Sequence, residues 1–321
     1  MEEHLIPVYN DPQVVKFADD QLHVFWTADE IKVEKDIQDV LTNFTEAEKH
    51  AVIETLRLFS IYETHVGDEW WSGRFKKMFD SADWHRMASV FSMSELAIHA
   101  VFYNKINELL YINTPDFYMS YQRDEVLSER IKHINDIIQE SDDVLALGGF
   151  CMVEGVILYS SFAFLKHYQS QGKNKLVNVV RGLNFSVRDE NLHSKATAYA
   201  FKVKTKQYSQ EQMVNVRSNL IAIASLLVEH ENAIIAKLFS KGKIEGITAH
   251  QLESFVKSRV NECFKDMGLE KVYEIDYNPI AQYFYKGIND YHFNDFFSGS
   301  GSEYHRNWDE KGFTWTTLNN G

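Results

Sequence analysis

Apolar residues recur at helical spacing along most of the chain. One stripe consists of Val52, Leu56, Phe59, Val66 and Trp70, which is the period of a helix that buries one face. The helix with this stripe begins near the capping residues 43–45, and the same periodicity predicts further helices over about 84–111, 122–139, 143–168, 174–203, 209–240 and 248–266. Several of these exceed 20 residues without heptad repeats. The sequence therefore predicts an all-α fold built as a helical bundle.

The chain divides into three parts by pattern. Residues 1–43 lack sustained periodicity and contain Pro7 and Pro12, so we expect an N-terminal arm, extended apart from one or two turns of helix. Residues 44–290 contain no internal repeat or linker and are expected to form one helical domain. Residues 291–321 include a Gly/Ser-rich segment at 298–302. Such a segment is typical of a flexible C-terminal tail.

Four of the apolar stripes are interrupted by a glutamate. Glu63 stands between Phe59 and Val66, where the period requires an apolar residue. The corresponding residues of three other predicted helices are Glu95, Glu154 and Glu190. His99 lies beside Glu95, and His193 lies beside Glu190. Four helices therefore each direct one glutamate inward.

Inward glutamates require compensating charge. A single one is more often explained by a position at the edge of the stripe or by a salt bridge. An unpaired carboxylate in the core costs several kcal/mol. Four of them together would cost more than the total stability of an ordinary domain, which is about 5–15 kcal/mol. The stripes show no lysine or arginine at comparable positions. Two divalent metal ions would neutralise four carboxylates, and a ligand set rich in oxygen suits iron or manganese better than zinc.

Residue spacing supports a metal site. Glu190-Asn-Leu-His193 is the only Glu-x-x-His in the chain, and this spacing places both side chains on one helical face. Glu95 and His99 are four residues apart and also share a face, although other Glu–His pairs of that spacing occur on predicted solvated faces. One glutamate from each of two helices and a Glu–His pair from each of two others is the dimetal-carboxylate pattern.

A second acidic cluster, Glu229-His230-Glu231, is a rival metal site. His230 continues the stripe of Leu227 and Ile234, whereas the adjacent glutamates are expected to point away from it. A hydrogen-bonded core histidine is therefore the preferred interpretation.

Composition narrows the class of protein. The 321 residues have a net charge of −13, which disfavours binding to the nucleic-acid backbone. No apolar run reaches the roughly 18 residues of a membrane span, and the first residues lack the order of a signal peptide, so a cytoplasmic protein without a membrane partner is expected. The two cysteines, Cys151 and Cys263, fit buried thiols better than a disulfide framework.

Five segments together resemble the small, radical-generating subunit of class I ribonucleotide reductase, over about residues 15–290. They are Phe25-Trp26 with Ala28-Asp-Glu-Ile31, Ile61-Tyr-Glu-Thr-His-Val-Gly67, Ser94-Glu95 to His99-Ala-Val-Phe-Tyr103, Val153-Glu154 to Phe162-Ala163, and Arg188-Asp-Glu-Asn-Leu-His193. The resemblance implies a ferritin-like fold and a dinuclear metal centre, with two irons as the first expectation and dimanganese or manganese–iron as alternatives. It implies six metal ligands, which are Glu63, Glu95, His99, Glu154, Glu190 and His193.

The same resemblance implies a route for the oxidising equivalent. The family's radical tyrosine matches Tyr103, its electron-transfer tryptophan matches Trp26, and the aspartate that links the tryptophan to a ligand histidine matches Asp189. The implied function is to activate oxygen and to supply the oxidising equivalent with which a separate large subunit makes deoxyribonucleotides. The resemblance also implies a homodimer that binds the large subunit through its C-terminal tail. In this family a tyrosine of the tail relays the oxidising equivalent. The residues that could have this role here are Tyr291, Tyr304, Trp308 and Trp315.

The chain departs from the family pattern at two places. Glu63 stands where many members have aspartate, which leaves iron and manganese open. One more residue than usual separates Glu95 from His99, so a local helix irregularity is expected. Counted from His99, the radical position is Tyr103, whereas counted from Glu95 it is Phe102, which forms no stable phenoxyl. We favour Tyr103; the alternatives are a core tyrosine bonded to a ligand carboxylate, or an oxidant held on the metals.

Two other functions fit the inward glutamates. A related dimetal oxidase would act on its own small-molecule or lipid substrate and would need an apolar channel, but not Trp26 or an aromatic tail. In a metal-storage or structural helical protein, Tyr103 and Asp189 would have no functional role.

Overall fold

The computed structural model describes residues 3–275 and 277–285, and within these ranges all regular secondary structure is helical. The helices are α1 Pro12–His23, α2 Glu46–His65, α3 Phe75–Met78, α4 Ala82–Ser94, α5 Ala100–Leu109, α6 Pro115–Arg123, α7 Glu125–Ile138, α8 Asp143–Gly155, α9 Tyr159–Lys166, α10 Val177–Thr205, α11 Gln210–Leu238 and α12 Ala249–Asp266. Residues 279–285 are helical as well. The predicted all-α class is confirmed.

Two π-helical segments join α-helices into longer rods. Val66–Arg74 connects α2 to α3, and Glu95–His99 connects α4 to α5. In the second segment the amide of Ala100 donates to the carbonyl of Glu95, five residues back. A π-helical turn accommodates one residue more than an α-helical turn. The helix irregularity predicted between Glu95 and His99 is therefore present.

The centre of the bundle is formed by the helices with inward glutamates. α8 and α10 pack against each other along much of their length, and α2 packs against α5. α8 is buried on almost every face, because α7, α10, α11 and α12 all contact it. This arrangement is a ferritin-like bundle, whose functional sites form between facing helices.

Local signals explain most helix ends. Thr45 caps α2, accepting from the amide of Glu48, while the Glu48 carboxylate accepts from the amide of Thr45. This capping box fixes the predicted start near residue 45. Ser209 and Gln212 form the same box at the start of α11.

Three features differ from the predicted pattern. α1 spans 12 residues in the segment expected to be mostly extended, and it packs on α4 and α10. The start of α1 is marked in the sequence by the cap residue Asp11 and by Pro12 at the first helical position. Apolar periodicity does not reveal these two signals. α6 was not predicted, and the single helix expected over 143–168 is broken at residues 156–158. The tail expected at 291–321 lies outside the described residues.

Two helical stretches have the length and hydropathy of a membrane span. In the apolar 18-residue window of residues 143–169, 94% is buried inside the protein, and in that of residues 210–238 the buried share is 44%. Core helices of bundles share these properties, so the two stretches are weak evidence for a membrane.

Candidate metal centre

The structure brings the six predicted ligands together in two overlapping groups. Site A consists of Glu63, Glu95, His99 and Glu190, and site B of Glu95, Glu154, Glu190 and His193. Within each group one ligand atom from every residue lies within 4.8 Å of the others. Glu95 and Glu190 belong to both groups. The geometry is that of two adjoining cation positions with two shared carboxylates.

Each ligand is positioned by a buried helix. Glu63 lies near the end of α2, Glu154 lies in α8, and α10 carries the Glu190–His193 pair. The π-helical segment carries Glu95 and His99. All six side chains are at most 2% exposed, so the site is dry and electrostatic interactions in it are strong.

Many polar atoms of the cluster have no hydrogen-bond partner among the described residues. They are both carboxylate oxygens of Glu63 and Glu190, one oxygen each of Glu95 and Glu154, and Nδ1 of His193. Buried polar atoms are nearly always paired in native proteins, and a bound ion is one reason for exceptions. The donor set therefore fits a pair of metal ions.

Both imidazoles direct Nδ1 at the cluster. His99 donates from Nε2 to Oδ2 of Asp189 at 3.1 Å, and His193 donates from Nε2 to Oε1 of Gln21 at 3.2 Å. The Nδ1 atoms lie 3.0 and 2.7 Å from the two oxygens of Glu95. Because the neutral ring that donates from Nε2 has its lone pair on Nδ1, these outer hydrogen bonds prepare both rings as ligands.

The carboxylates cannot all be ionised without a cation. Burial raises the pKa of Glu63 and Glu154 well above the usual range, and the neighbouring carboxylates raise it further. Burial also opposes ionisation of Glu95, but when His99 and His193 are protonated their charges outweigh it and lower the pKa of that carboxyl. Two divalent ions would supply the missing positive charge directly.

Asp189 connects His99 to the N-terminal region. Its Oδ2 accepts from Nε1 of Trp26 at 2.8 Å, in addition to the bond from His99. Burial works against the charge of Asp189, but the bond from His99 and the charge of Arg188 hold its pKa below the usual range. Arg188 also donates to the carbonyl of Val24 at 2.6 Å, which ties the segment before Trp26 to α10.

Tyr103 and Phe102 have different surroundings. The Tyr103 ring is 1% exposed and stacks on Phe59 at a centroid distance of 4.3 Å. Its hydroxyl has no well-formed hydrogen bond, and burial together with the charge of Glu63 raises its pKa well above the usual range. The Phe102 ring instead meets Trp26 edge-on at 5.4 Å. The π-helical turn accommodates the extra residue before Ala100. Tyr103 therefore still lies one helical turn beyond His99.

Comparison with known proteins gives the family. The model of the ribonucleotide reductase small chain matches residues 6–279. The chain belongs to this family. A ribonucleoside-diphosphate reductase subunit beta of Halalkalibacterium halodurans is 26% identical over 269 residues, covering 80% of this chain and 75% of that protein. The subunit beta of ribonucleoside-diphosphate reductase 2 from Escherichia coli is 23% identical, covering 87% of this chain and 86% of that protein.

Solved structures share the fold. Dimanganese(II)-NrdF from Streptococcus sanguinis superposes with a TM-score of 0.77 at 19% identity, covering 88% of this chain and 97% of that one. A putative class I ribonucleotide reductase from Bacillus halodurans has a TM-score of 0.77 at 22% identity, covering 85% and 100%. The chain is thus a radical-generating small subunit of ribonucleotide reductase, an oxidoreductase with a dinuclear metal centre that works with a large subunit. The storage and independent-oxidase alternatives are not favoured.

Three residues around the centre of this small chain escaped the sequence analysis. Gln21 holds His193, and Trp71 donates from Nε1 to Oε1 of Glu154 at 2.8 Å. Tyr62 is fully buried and donates to the carbonyl of Val153 at 3.0 Å. In sequence all three look like ordinary core or helix residues, because their partners are contributed by distant helices.

The rival cluster is not part of this centre. His230 is buried and accepts from Nε of Arg130 at 3.3 Å, which confirms the hydrogen-bonded core histidine. The expectation that both adjacent glutamates point away was wrong for Glu231, which is fully buried and pairs with Arg130. Ser160 also donates to this carboxylate.

The interior does contain basic side chains that the stripes did not reveal. Arg130 lies on α7, Lys166 on α9 and Arg259 on α12, and all three are buried. Lys166 donates to the amide oxygen of Asn184, and Arg259 donates to the carbonyl of Gly155. The ion-pair partners described for the four central glutamates are the imidazoles of His99 and His193.

Proposed function

We propose that sites A and B hold the two metal ions of this small subunit. Site A has Glu63 and His99 as its own ligands, site B has Glu154 and His193, and Glu95 and Glu190 are shared. The observation that carries the proposal is that six buried side chains from four helical rods face one another. All of them except His99 have an oxygen or nitrogen without a hydrogen-bond partner among the described residues. A storage protein would not need a single dry site of fixed composition.

The metal ions are two irons, with dimanganese or a manganese–iron pair as the alternatives. Four carboxylates and two imidazoles suit both metals. When bound, the metals supply the oxidation chemistry by reaction with oxygen or a reduced oxygen species. The Streptococcus sanguinis structure contains dimanganese, and it supports manganese as an alternative here.

Tyr103 stores the oxidising equivalent. Its phenol remains protonated in this environment. Its oxidation would pass one electron to the oxidised metal centre and the hydroxyl proton to the adjoining carboxylates, of which Glu63 acts most strongly on the phenol. Burial and the stacked Phe59 ring exclude water and small reductants from the phenoxyl. Transfer outward uses the hydrogen-bonded series His99, Asp189 and Trp26, in which Asp189 accepts from both rings.

The large subunit binds through residues 291–321, and two copies of the chain form a homodimer.

The helical domain comprises residues 44–290 and is preceded by the arm of residues 1–43, which contributes Trp26 and Gln21 to the centre. The protein is cytoplasmic and needs neither a membrane nor nucleic acid as a partner. Its net charge of −13 disfavours binding to the nucleic-acid backbone.

One reconstitution experiment tests the core of the proposal. The metal-free chain is loaded with Fe(II) or with Mn(II) and oxidised, and metal content and the electron paramagnetic resonance (EPR) spectrum are recorded. We expect two metals per chain, an organic radical signal and turnover of ribonucleoside diphosphates with the cognate large subunit. Two bound metals without any oxidised signal or turnover, under either metal, would contradict radical generation by these residues.

A further inference from the structure

Trp71 contacts both ligands that belong only to site B. Its Nε1 donates to Oε1 of Glu154 at 2.8 Å, and its ring lies edge-on to His193 at a centroid distance of 5.7 Å and 66°. The side chain is completely buried. No corresponding contact from Trp71 is described for Glu63 or His99, the ligands specific to site A.

The hydrogen bond fixes the orientation of the Glu154 carboxylate. Oε1 accepts from the indole, whereas Oε2 is buried without a partner in the described ranges and lies 4.0 Å from Nδ1 of His193. A carboxylate held in this way presents Oε2, with all its lone pairs free, to site B, while Oε1 shares its lone pairs with the indole. Without the bond, the last side-chain torsion could rotate and this orientation would no longer be fixed.

The indole itself has little freedom to move. Its ring lies 4.9 Å from the rings of both Phe75 and Phe91. The π-helical segment 66–74 that carries it packs closely on the second π-helical segment, since a Cβ on Gly67 would lie 3.1 Å from Cβ of Glu95. Trp71 is therefore a rigid donor fixed to the same scaffold as the shared ligand Glu95.

We propose that Trp71 is a positioning residue that fixes the orientation of Glu154, with Oε2 presented to site B, and so sets the metal affinity of site B independently of site A. The inference rests on the ligand assignment proposed above. Loss of an outer hydrogen bond to a metal ligand typically lowers metal affinity about 10- to 100-fold. Here the loss should fall on one of two metal ions, because Trp71 contacts only ligands of site B.

The adjacent Trp70 provides a matched control. It is equally buried, it belongs to the same π-helical segment, and its ring stacks on Phe150 at 3.9 Å. Its Nε1 has no hydrogen-bond partner in the described ranges. Trp70→Phe therefore changes packing as Trp71→Phe does, but removes no bond to a metal ligand.

The experiment is an anaerobic titration of the metal-free full chain with Mn(II), with chelator competition and EPR. For Trp71→Phe we expect one of the two dissociation constants to rise at least about 10-fold. At two equivalents of Mn(II), the signal of isolated Mn(II) ions should increase. Trp70→Phe should resemble the wild type in both measurements.

The outcomes separate the two proposals. If the wild type does not bind two Mn(II) ions, the ligand assignment itself is wrong. If the wild type binds two and Trp71→Phe matches Trp70→Phe, or loses affinity equally at both sites, Trp71 does not position Glu154. Should Trp71→Phe fail to fold, benzothienylalanine at position 71 keeps the ring shape and replaces the N–H by sulfur, and the same selective loss is expected.

Discussion

The two histidine ligands differ in the partner of their outer nitrogen. His99 donates to the carboxylate of Asp189, whereas His193 donates to the neutral amide of Gln21. A carboxylate partner makes an imidazole a stronger donor to a metal than an amide partner does. The two proposed metal positions would therefore be electronically unequal, with the stronger histidine ligand at site A, on the side of Trp26.

Removing one histidine should empty one site. His193→Ala deletes a ligand specific to site B, and His99→Ala deletes one specific to site A, while the helices around them stay packed. We expect each variant to retain about one metal per chain by elemental analysis, and Glu154→Ala to behave like His193→Ala. Two metals per chain in all three variants would refute the dinuclear assignment.

Tyr103→Phe should remove the organic radical without removing metal. The ring can still stack on Phe59, and no described hydrogen bond of the Tyr103 hydroxyl is lost. We expect two metals per chain, loss of the tyrosyl signal in EPR spectra and no turnover with the large subunit. If the variant keeps both its oxidised signal and turnover, the oxidant resides on the metals.

Lys166 should make stability depend on pH in the alkaline range. Burial lowers the pKa of this lysine to about 7, whereas it is near 10.4 in an unfolded chain. Between these values the unfolded state binds more protons, so stability rises with pH, by on the order of 1 kcal/mol per unit. We expect Lys166→Met to be more stable near neutrality and to lose this rise in thermal unfolding between about pH 7 and 9. Parallel pH profiles for the variant and the wild type would contradict a neutral Lys166.

At the scale of elements, the π-helical turns determine where side chains point. The segment Glu95–His99 places five residues where an α-helical turn would place about four. Glu95 and His99 consequently both face the centre, and α5 continues with Tyr103 one turn beyond His99. The additional residue is absorbed locally and does not rotate the helix that follows.

Deleting Ala97 should convert this segment to a regular α-helix and preserve the centre. Ala97 is exposed, and its removal leaves the i, i+3 spacing that already serves Glu190 and His193. We expect two metals per chain and unchanged or higher thermal stability. The control deletion removes Val101, which is 49% exposed, and turns Tyr103 by about 100° relative to His99. If deletion of Ala97 abolishes metal binding, the π-helical turn is essential to the ligand geometry.

At the scale of the molecule, the proposed ligands and the proposed partner segment belong to different parts of the sequence. The six proposed ligands lie in the helical core, whereas the proposed contact with the large subunit involves residues beyond 290. A chain ending at residue 290 should therefore load two metals and form the radical, because every ligand and Tyr103 remain. We expect its turnover with the large subunit to be lost. Full turnover by the truncated chain would place the docking surface elsewhere.

The sequence alone determined most of the long helices and the set of ligands proposed for the site. Apolar periodicity placed the long helices because each buries one face, and the glutamates stood out because charge in a stripe is costly. The extra residue after Glu95 already predicted an irregular turn. These features are local, so they can be read from neighbouring residues.

Only the tertiary structure decided which distant groups meet. The bonds from Trp71 to Glu154 and from Gln21 to His193 join residues 83 and 172 positions apart. The division into sites A and B, and the burial of Glu231 against Arg130, likewise depend on how helices pack. Such contacts leave no periodic trace in the sequence, because a hydrogen bond between helices depends on their relative position and not on residue spacing within either helix.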